Sequence, residues 1–215
     1  MCVRRSVLVA ALVSVALTLA ACDGGSRESR TKARADAGPS VVAPGKPGEP
    51  ARTLSVEEAA KAAGDDTPNS ADFRYAQMMI QHHAQALEMT GLAPARSGST
   101  AVKRLAERIT AGQKPEIGAM EGWLKHNGGE KRKNGHDHSA MPGMATPAQL
   151  EQLRTAEGTD FDKLFLKLMI THHQGAITMA TEVLSQGNNV QVEEMAGDVV
   201  AQQTVEIDRM RALSP

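Results

Sequence analysis

The stretch MMIQHHAQALEM at residues 78–89 is matched by LMITHHQGAITM at residues 168–179. Further along, QKPEIGAM at residues 113–120 is matched by QTVEIDRM at residues 203–210. Both matches have the same offset of 90 residues, which indicates that one unit occurs twice in the chain. Both copies keep a pair of adjacent histidines, several methionines and a Gln-x-x-Glu pattern. These shared residues are therefore the first candidates for structure and chemistry.

Each unit predicts two helices. Asn69, with Asp72 three residues later, supplies an N-cap acceptor and negative charge in the first turn of a helix, and Thr159 with Asp162 repeats the pattern. The other predicted helix starts are Ser99 or Thr100, Asn188 or Asn189, Ser55 with Glu58, and Thr146 with Pro147 and Gln149.

Two helical hairpins bury their apolar stripes most economically against each other. The sequence therefore predicts an all-α fold, a four-helix bundle built from two duplicated helical hairpins. The repeat units span residues 69–126 and 159–213, a loop at residues 127–145 joins them, and the whole folded domain covers residues 55–215. Two independent hairpins are the alternative, but each would have too little core to be stable alone.

The N-terminus has the features of a bacterial lipoprotein signal. Arg4 and Arg5 precede an uncharged apolar run at residues 7–19, which is too short to cross a bilayer. The run ends in Leu-Ala-Ala-Cys at residues 19–22, which resembles the site where a cysteine is lipidated and becomes the new N-terminus. We predict a signal peptide at residues 1–21, a lipid on Cys22, and localisation at the extracytoplasmic face of the cell membrane. A plain signal peptide with an incidental cysteine is the alternative.

The segment after the lipidation site predicts a flexible tether. Residues 22–54 are rich in Gly, Pro, Ser and charge and have no apolar period, so they cannot bury enough surface to fold. Cys2 lies in the predicted signal peptide, which leaves Cys22 as the single cysteine of the mature chain. We therefore expect the stability of the domain to come from its apolar core rather than from a disulfide.

Composition narrows the classes of function. Lys plus Arg number 24 and Asp plus Glu number 25, for a formal net charge of -1, and aromatic residues make up 2% of the chain. Such a chain has neither an electropositive field nor base-stacking rings, so we expect no nucleic-acid partner. Its surplus lies in 11 Met and 7 His, and thioether sulfur with imidazole is a ligand set that suits copper.

The shared histidines and methionines fall on the helix faces that should point into the bundle. At about 100° per residue, they occupy one arc of the first helix of each unit, and the second helix adds Gln, Glu and Met on its apolar stripe. The candidate metal ligands on these faces are His82, His83, His172, His173, Met79, Met89, Met120, Met169, Met179 and Met210. The candidate partners that orient the imidazoles are Gln113, Glu116, Gln203 and Glu206.

Two interpretations of this pattern stay open. In the first, His and Met side chains hold a soft metal ion. Because His82 and His83 differ by about 100° around the helix, one ring would ligate while the other pairs with a carboxylate. In the second, Met fills gaps in the core, and the His pairs hydrogen-bond Glu and Gln to hold the helix register. Retention of the whole combination in both copies favours the metal.

The connecting loop adds a second set of soft donors. His136, His138, Met141 and Met144 lie in the stretch HDHSAMPGM, for which we predict no regular structure. Flexible His and Met tracts can capture Cu(I) or Ag(I) through thioethers and Cu(II) through imidazole, because no rigid geometry is needed. An ordinary polar linker is the alternative interpretation.

The His-His helix followed by Gln-x-x-Glu-Ile-x-x-Met resembles the family known as domain of unknown function 305, over residues 69–213. The resemblance implies a ferritin-like four-helix fold and extracytoplasmic copper binding and tolerance. It also implies that the ten helical His and Met residues named above occupy the motif positions of the family. A copper ion, or silver in its place, is the expected ligand.

Other chemistries find less support in the sequence. A di-iron site of the ferritin-like type needs Glu-x-x-His pairs, but no histidine of the chain has Glu three residues before it. The chain also shows no zinc-protease motif, no phosphate-binding glycine loop and no mature cysteine nucleophile, so we expect a binding protein and not an enzyme. A structural or partner-binding lipoprotein without a metal role is the alternative function, and the sequence leaves a homodimer open.

Overall fold

The structure is a computed structural model that describes residues 39–129 and 141–214. The predicted signal peptide, Cys22, His136 and His138 lie outside the described residues. The elements are β1 (Ser40–Ala43), β2 (Arg52–Ser55), α1 (Val56–Ala62), α2 (Ser70–Arg96), α3 (Thr100–His126), α4 (Pro147–Thr155), α5 (Gly158–Gln186) and α6 (Val190–Leu213). The prediction of an all-α helical bundle is confirmed.

The chain divides into two units, residues 1–56 and 57–215, and the first contains a small sheet. Strands β1 and β2 pair antiparallel, with Val41 opposite Leu54 and Val42 opposite Thr53. The prediction that all of residues 22–54 lack regular structure is therefore wrong for this part of the tether. β-Branched side chains on both strands favour extended backbone, and Gly48, with a φ of 90°, lies between the two strands.

Most helix starts follow from side-chain caps. The Asn69 side chain accepts hydrogen bonds from the backbone N–H groups of Ala71 and Asp72, and Asp72 completes a capping box at the start of α2. The remaining confirmed N-caps are Ser99 for α3, Thr146 with Gln149 for α4, and Asn189 for α6. Helix α5 differs, since it begins at Gly158 after an N-cap, Glu157, that makes no side-chain cap bond.

The two hairpins, α2 with α3 and α5 with α6, meet through α2 and α5, whereas α3 and α6 touch only briefly. Helices α2 and α5 run antiparallel, since the Asn69 side chain at the start of α2 donates to the carbonyl of Gln186 at the end of α5 (2.8 Å). Their apolar residues form two core clusters, one at residues 73–79 and 176–183 and one at residues 86–93 and 161–169. The histidine pairs lie between these clusters, at the middle of the bundle.

Two buried carboxylates, one from each repeat, join the hairpins at opposite ends. Asp72 is fully buried and accepts from the backbone N–H of Asn188 (3.2 Å) in the turn between α5 and α6. Asp162, 90 residues later, accepts from the Ser97 hydroxyl at the end of α2. Charge-assisted hydrogen bonds are stronger than neutral ones, so this repeated pair fixes how the two hairpins align.

None of the helices in the described ranges combines the length and apolarity that a bilayer-spanning segment requires.

Candidate metal centre

A layer of four imidazoles crosses the centre of the bundle. His82 and His83 of α2 and His172 and His173 of α5 are each 0% exposed. The His82 and His172 rings lie against one another, with centroids 3.7 Å apart and ring planes 34° apart. The tertiary fold therefore brings together the two histidine pairs that the sequence separates by 90 residues.

Hydrogen bonds fix the protonated nitrogen of three of these rings. Nε2 of His82 donates to the carbonyl oxygen of Pro142 (3.0 Å), because a carbonyl can only accept. Nε2 of His83 lies 2.7 Å from a carboxylate oxygen of Glu116, and Nε2 of His173 lies 2.7 Å from that of Glu206. In both pairs the carboxylate accepts the Nε2–H, so Nδ1 is the ring nitrogen that does not face the carboxylate. The expected pairing of one imidazole per helix with a carboxylate is present in both repeats.

The Nδ1 atoms of the layer have no hydrogen-bond partner within residues 39–129 and 141–214. His172 also lacks a hydrogen bond at Nε2 in this part of the chain. Buried polar atoms normally have partners, and leaving one without costs about 1–3 kcal/mol. Buried ring nitrogens without a partner are consistent with atoms that bind a ligand.

Burial keeps two of the rings neutral. Desolvation lowers the pKa of His82 to about 3, although the Pro142 carbonyl acts in the opposite direction. Burial and the neighbouring imidazoles hold the pKa of His172 well below its ordinary value of 6.5. Both rings therefore have ligand-competent nitrogens at neutral pH, since only a neutral imidazole can bind a metal.

The six helical methionines predicted as ligands are all buried, and they divide between the two core clusters. Met79, Met120 and Met179 belong to one, which we call the Met79 cluster, and Met89, Met169 and Met210 belong to the other, the Met89 cluster. Each cluster thus combines methionines from both repeats. The Met79 cluster is richer, because it also contains or contacts Met78, Met141, Met144 and Met195. Soft sulfur is therefore concentrated at one end of the bundle.

The predicted role of two glutamines is not observed. Gln113 and Gln203 are buried as expected, but neither amide group has a hydrogen-bond partner in the described ranges. The carboxylates one turn further along α3 and α6 take the imidazole N–H instead. A charged acceptor makes the stronger hydrogen bond, so it outcompetes the amide for the ring.

The described part of the loop before α4 has no regular secondary structure, as predicted, but it is packed against the bundle. Met141 is only 5% exposed and lies in the Met79 cluster, and Gln85 of α2 exchanges two hydrogen bonds with the backbone of Ala145 (2.7 and 3.0 Å). Gly143 adopts a φ of 79°, and a Cβ on Gly175 would collide with the Pro142 carbonyl oxygen. The expectation of a flexible tract is therefore wrong for residues 141–145, because glycines let this segment lie flat on α5 and reach His82.

Several residues of the site carry no motif and were missed by the sequence comparison. Pro142 contributes through its backbone carbonyl, which no side-chain pattern reveals. Gln85 and Met195 have Gly175 and Leu105 at the equivalent positions of the other repeat, so a comparison of the repeats discards them. Their contributions depend on which side of the bundle the connecting segment crosses.

The described residues do not form a metal site from His, Cys, Asp and Glu side chains alone. Among the described residues, no group of three or more His, Cys, Asp or Glu side chains is placed to hold a metal ion. A tetrahedral site of the structural zinc type, which draws on these side chains, therefore has no counterpart in the described ranges. Neutral imidazole nitrogens flanked by thioethers instead match the preferences of a soft ion.

The fold and the central layer define a class: duplicated four-helix bundles with buried imidazole–carboxylate pairs and methionine-rich cores. The model of the family named domain of unknown function DUF305 matches residues 72–214. The chain therefore belongs to the DUF305 family. A search of curated protein sequences finds no match.

Solved structures share this architecture. A DUF305 fragment from Deinococcus radiodurans is 33% identical, with a TM-score of 0.63, and the match covers 68% of this chain and 96% of that one. A DUF305 protein from Streptomyces coelicolor assigned as secreted is also 33% identical, with a TM-score of 0.63 and coverage of 67% and 91%. CopM in its Cu(I)-bound form is 29% identical, with a TM-score of 0.55 and coverage of 66% and 94%, and it has also been solved with Cu(II) and Ag.

Proposed function

We propose that this DUF305 protein binds a soft metal ion, copper or silver, outside the cytoplasm, and that it sequesters the ion without catalysing a reaction. The observation that carries the proposal is the central layer, in which hydrogen bonds to Pro142, Glu116 and Glu206 orient three imidazoles whose Nδ1 atoms have no partner in the described ranges. Proteins usually orient a metal-binding histidine through a carboxylate that accepts a hydrogen bond from the far ring nitrogen.

The chemistry of the donors favours Cu(I) or Ag(I). Buried neutral imidazoles and thioethers suit soft ions, and the methionine clusters lie directly on both sides of the layer. On this proposal an imidazole nitrogen of the layer binds the ion and a thioether completes the ligand set. Structures of CopM with copper and silver support the same ions for this chain.

The N-terminal sequence supports the proposed location of the protein outside the cytoplasm and its attachment to the membrane. The Leu-Ala-Ala-Cys stretch at residues 19–22 supports a lipid on Cys22 that holds the protein on the membrane. The secreted assignment of the Streptomyces relative supports an extracytoplasmic position. On this proposal His136 and His138, which lie outside the described residues, add further imidazole ligands.

A structural role is the second candidate. The close stack of His82 on His172 and the imidazole–carboxylate bonds also serve to hold the four helices in register. On this account the protein is an anchored helical lipoprotein that presents a surface to a partner, and a homodimer belongs to the same account.

Competition for Cu(I) separates the two functions. The purified protein is titrated with Cu(I) against a chromophoric chelator, beside His82→Ala with His172→Ala in one chain and beside His172→Leu alone. We expect copper binding by the wild type, and lower capacity in both variants with unchanged helix content by circular dichroism. His126→Ala, which removes an exposed histidine of α3, is the control and should keep full capacity.

Two results would contradict metal binding by the layer. One is a wild type that takes no copper from the chelator. The other is a folded His172→Leu variant with wild-type capacity, which would restrict any copper to other residues. His172→Leu is the more informative variant, because its ring makes no hydrogen bond in the described ranges and leucine fills a similar volume.

A further inference from the structure

A groove opens between α3 and α6. Because these helices touch only briefly, two hollows of about 550 and 470 Å³ lie between them. Ala119, Met195 and Asp198 line both hollows, which makes them one continuous surface. We call this surface the α3/α6 groove.

The groove reaches the imidazole layer through one carboxylate. Glu116 lines the deeper hollow and also holds Nε2 of His83 at 2.7 Å. Its side chain is 23% exposed, whereas that of Glu206, the equivalent residue of the second repeat, is 2% exposed. The first imidazole–carboxylate pair is therefore open to solvent, and the second is sealed.

Soft donors line the same hollow. Met120 and Met195 are part of its wall, and Met120 is buried whereas Met195 is half-buried. The buried Tyr75 hydroxyl also borders this hollow and has no hydrogen-bond partner within the described ranges. A wall of this kind offers polarisable ligands to a cation and little to an anion.

The charges of the groove favour a cation. Glu116, Glu194 and Asp198 line it, and the described residues that border either hollow include no Lys or Arg, with His126 as the remaining titratable base. Carboxylates on low-dielectric apolar walls focus the field and raise the local concentration of positive ions.

The equivalent positions of the other repeat lack these thioether and carboxylate groups. At the positions equivalent to Met195, Asp198 and Ala119, the other repeat carries Leu105, Arg108 and Arg209. In the other repeat, leucine thus stands in place of the methionine, and arginine stands in place of both the aspartate and the alanine. The two repeats have therefore diverged: the residues of the α3/α6 groove attract a soft cation, whereas the residues at the equivalent positions repel it.

The geometry points to the α3/α6 groove as the uptake site for a soft monovalent cation, Cu(I) or Ag(I). The ion is captured by the thioethers of Met195 and Met120 beside Glu116, and it then passes to the layer at His83. This inference rests on the proposed function, which it deepens by assigning the side from which the ion arrives. It also assigns the two repeats different roles, with uptake through the first and a closed pair in the second.

Silver uptake can be followed with a reporter that the chain already contains. Trp123 is the single tryptophan of the sequence and lines the groove, so a heavy ion captured there quenches its fluorescence. Ag(I) is mixed with wild type, Met195→Leu and Asp198→Arg in a stopped-flow fluorimeter, with each variant importing the residue of the other repeat. Met78→Leu is the matched control, since Met78 contacts the Met79 cluster but does not line the groove.

We expect the association rate constant for Ag(I) to fall about fivefold or more in both groove variants, because a soft ligand is lost in one and the local charge is reversed in the other. The Met78→Leu control should associate at the wild-type rate.

The outcomes distinguish this inference from the proposed function. If the wild type binds silver and both groove variants bind it at the wild-type rate, the uptake site is wrong and the proposed function stands. If the wild type binds neither silver nor copper, the proposed function fails as well. If silver kinetics are unchanged and the variants convert a dimer to a monomer in sedimentation, the groove is a contact between copies and the uptake site is again wrong.

Discussion

Acidification should destabilise this protein well before its carboxylates titrate. The unfolded chain has ordinary histidines with a pKa of 6.5, whereas the folded protein holds His82 at about 3 and His172 well below 6.5. As the pH falls through 6.5, the unfolded state takes up protons that the folded state cannot accept. The stability contributed by neutral burial is therefore complete above pH 6.5 and is lost progressively as the pH falls toward the folded pKa values.

The size of the effect follows from these pKa values. Each pH unit below 6.5 costs about 1.4 kcal/mol for each ring that protonates only when unfolded. Between pH 7 and pH 5, the loss is about 2 kcal/mol for His82, and the lowered pKa of His172 adds a loss of the same sign. Most carboxylates, with ordinary pKa values near 4, contribute little in this window.

Urea unfolding at pH 7 and pH 5, followed by circular dichroism in the presence of a chelator, measures this loss. His172→Leu should reduce this loss, because one of the two buried rings is gone. The exposed His126, changed to Gln, should leave the wild-type loss unchanged. A wild-type loss below about 1 kcal/mol, or an equal loss in His172→Leu, would refute the reasoning, since the buried rings would then be protonated in the folded protein.

Two further predictions concern the contacts that position the layer. Gly175→Ala should lower the free energy of unfolding by about 2 kcal/mol or more, because its Cβ collides with the Pro142 carbonyl. Gly91→Ala, which has open space around it, should raise the free energy of unfolding by about 0.5–1 kcal/mol. Equal effects of the two substitutions in urea unfolding would contradict the close approach of Gly175 to Pro142. Asp72→Ala should lower the free energy of unfolding by about 2–3 kcal/mol, because the buried hydrogen bonds to two backbone N–H groups are lost. Asp208→Ala on the surface should change it by no more than about 0.5 kcal/mol. A near-neutral Asp72→Ala would show that this carboxylate does not join the hairpins.

Local chemistry explains why the helices could be read from the sequence. The capping residues Asn69, Ser99, Thr146 and Asn189 act within one turn, so their patterns are visible without a fold. For helix α5 the pattern predicts an N-cap at Thr159, two residues after the observed N-cap, Glu157, because Asp162 resembles a first-turn acid. Its carboxylate instead accepts from Ser97, 65 residues away, which no local pattern shows.

The amino-acid sequence by itself determined the duplicated helices, their inward His and Met stripes, and the pairing of one imidazole per helix with a carboxylate. These features depend on periodicity and on the offset between repeats, both of which are properties of the linear chain. Only the tertiary structure decided that His82 stacks on His172, that the Pro142 carbonyl completes the layer, and that one repeat is open through the α3/α6 groove. The reason is that these contacts join residues distant in the chain. Two related repeats become unequal once residues 141–145 and several diverged side chains cover one side and not the other.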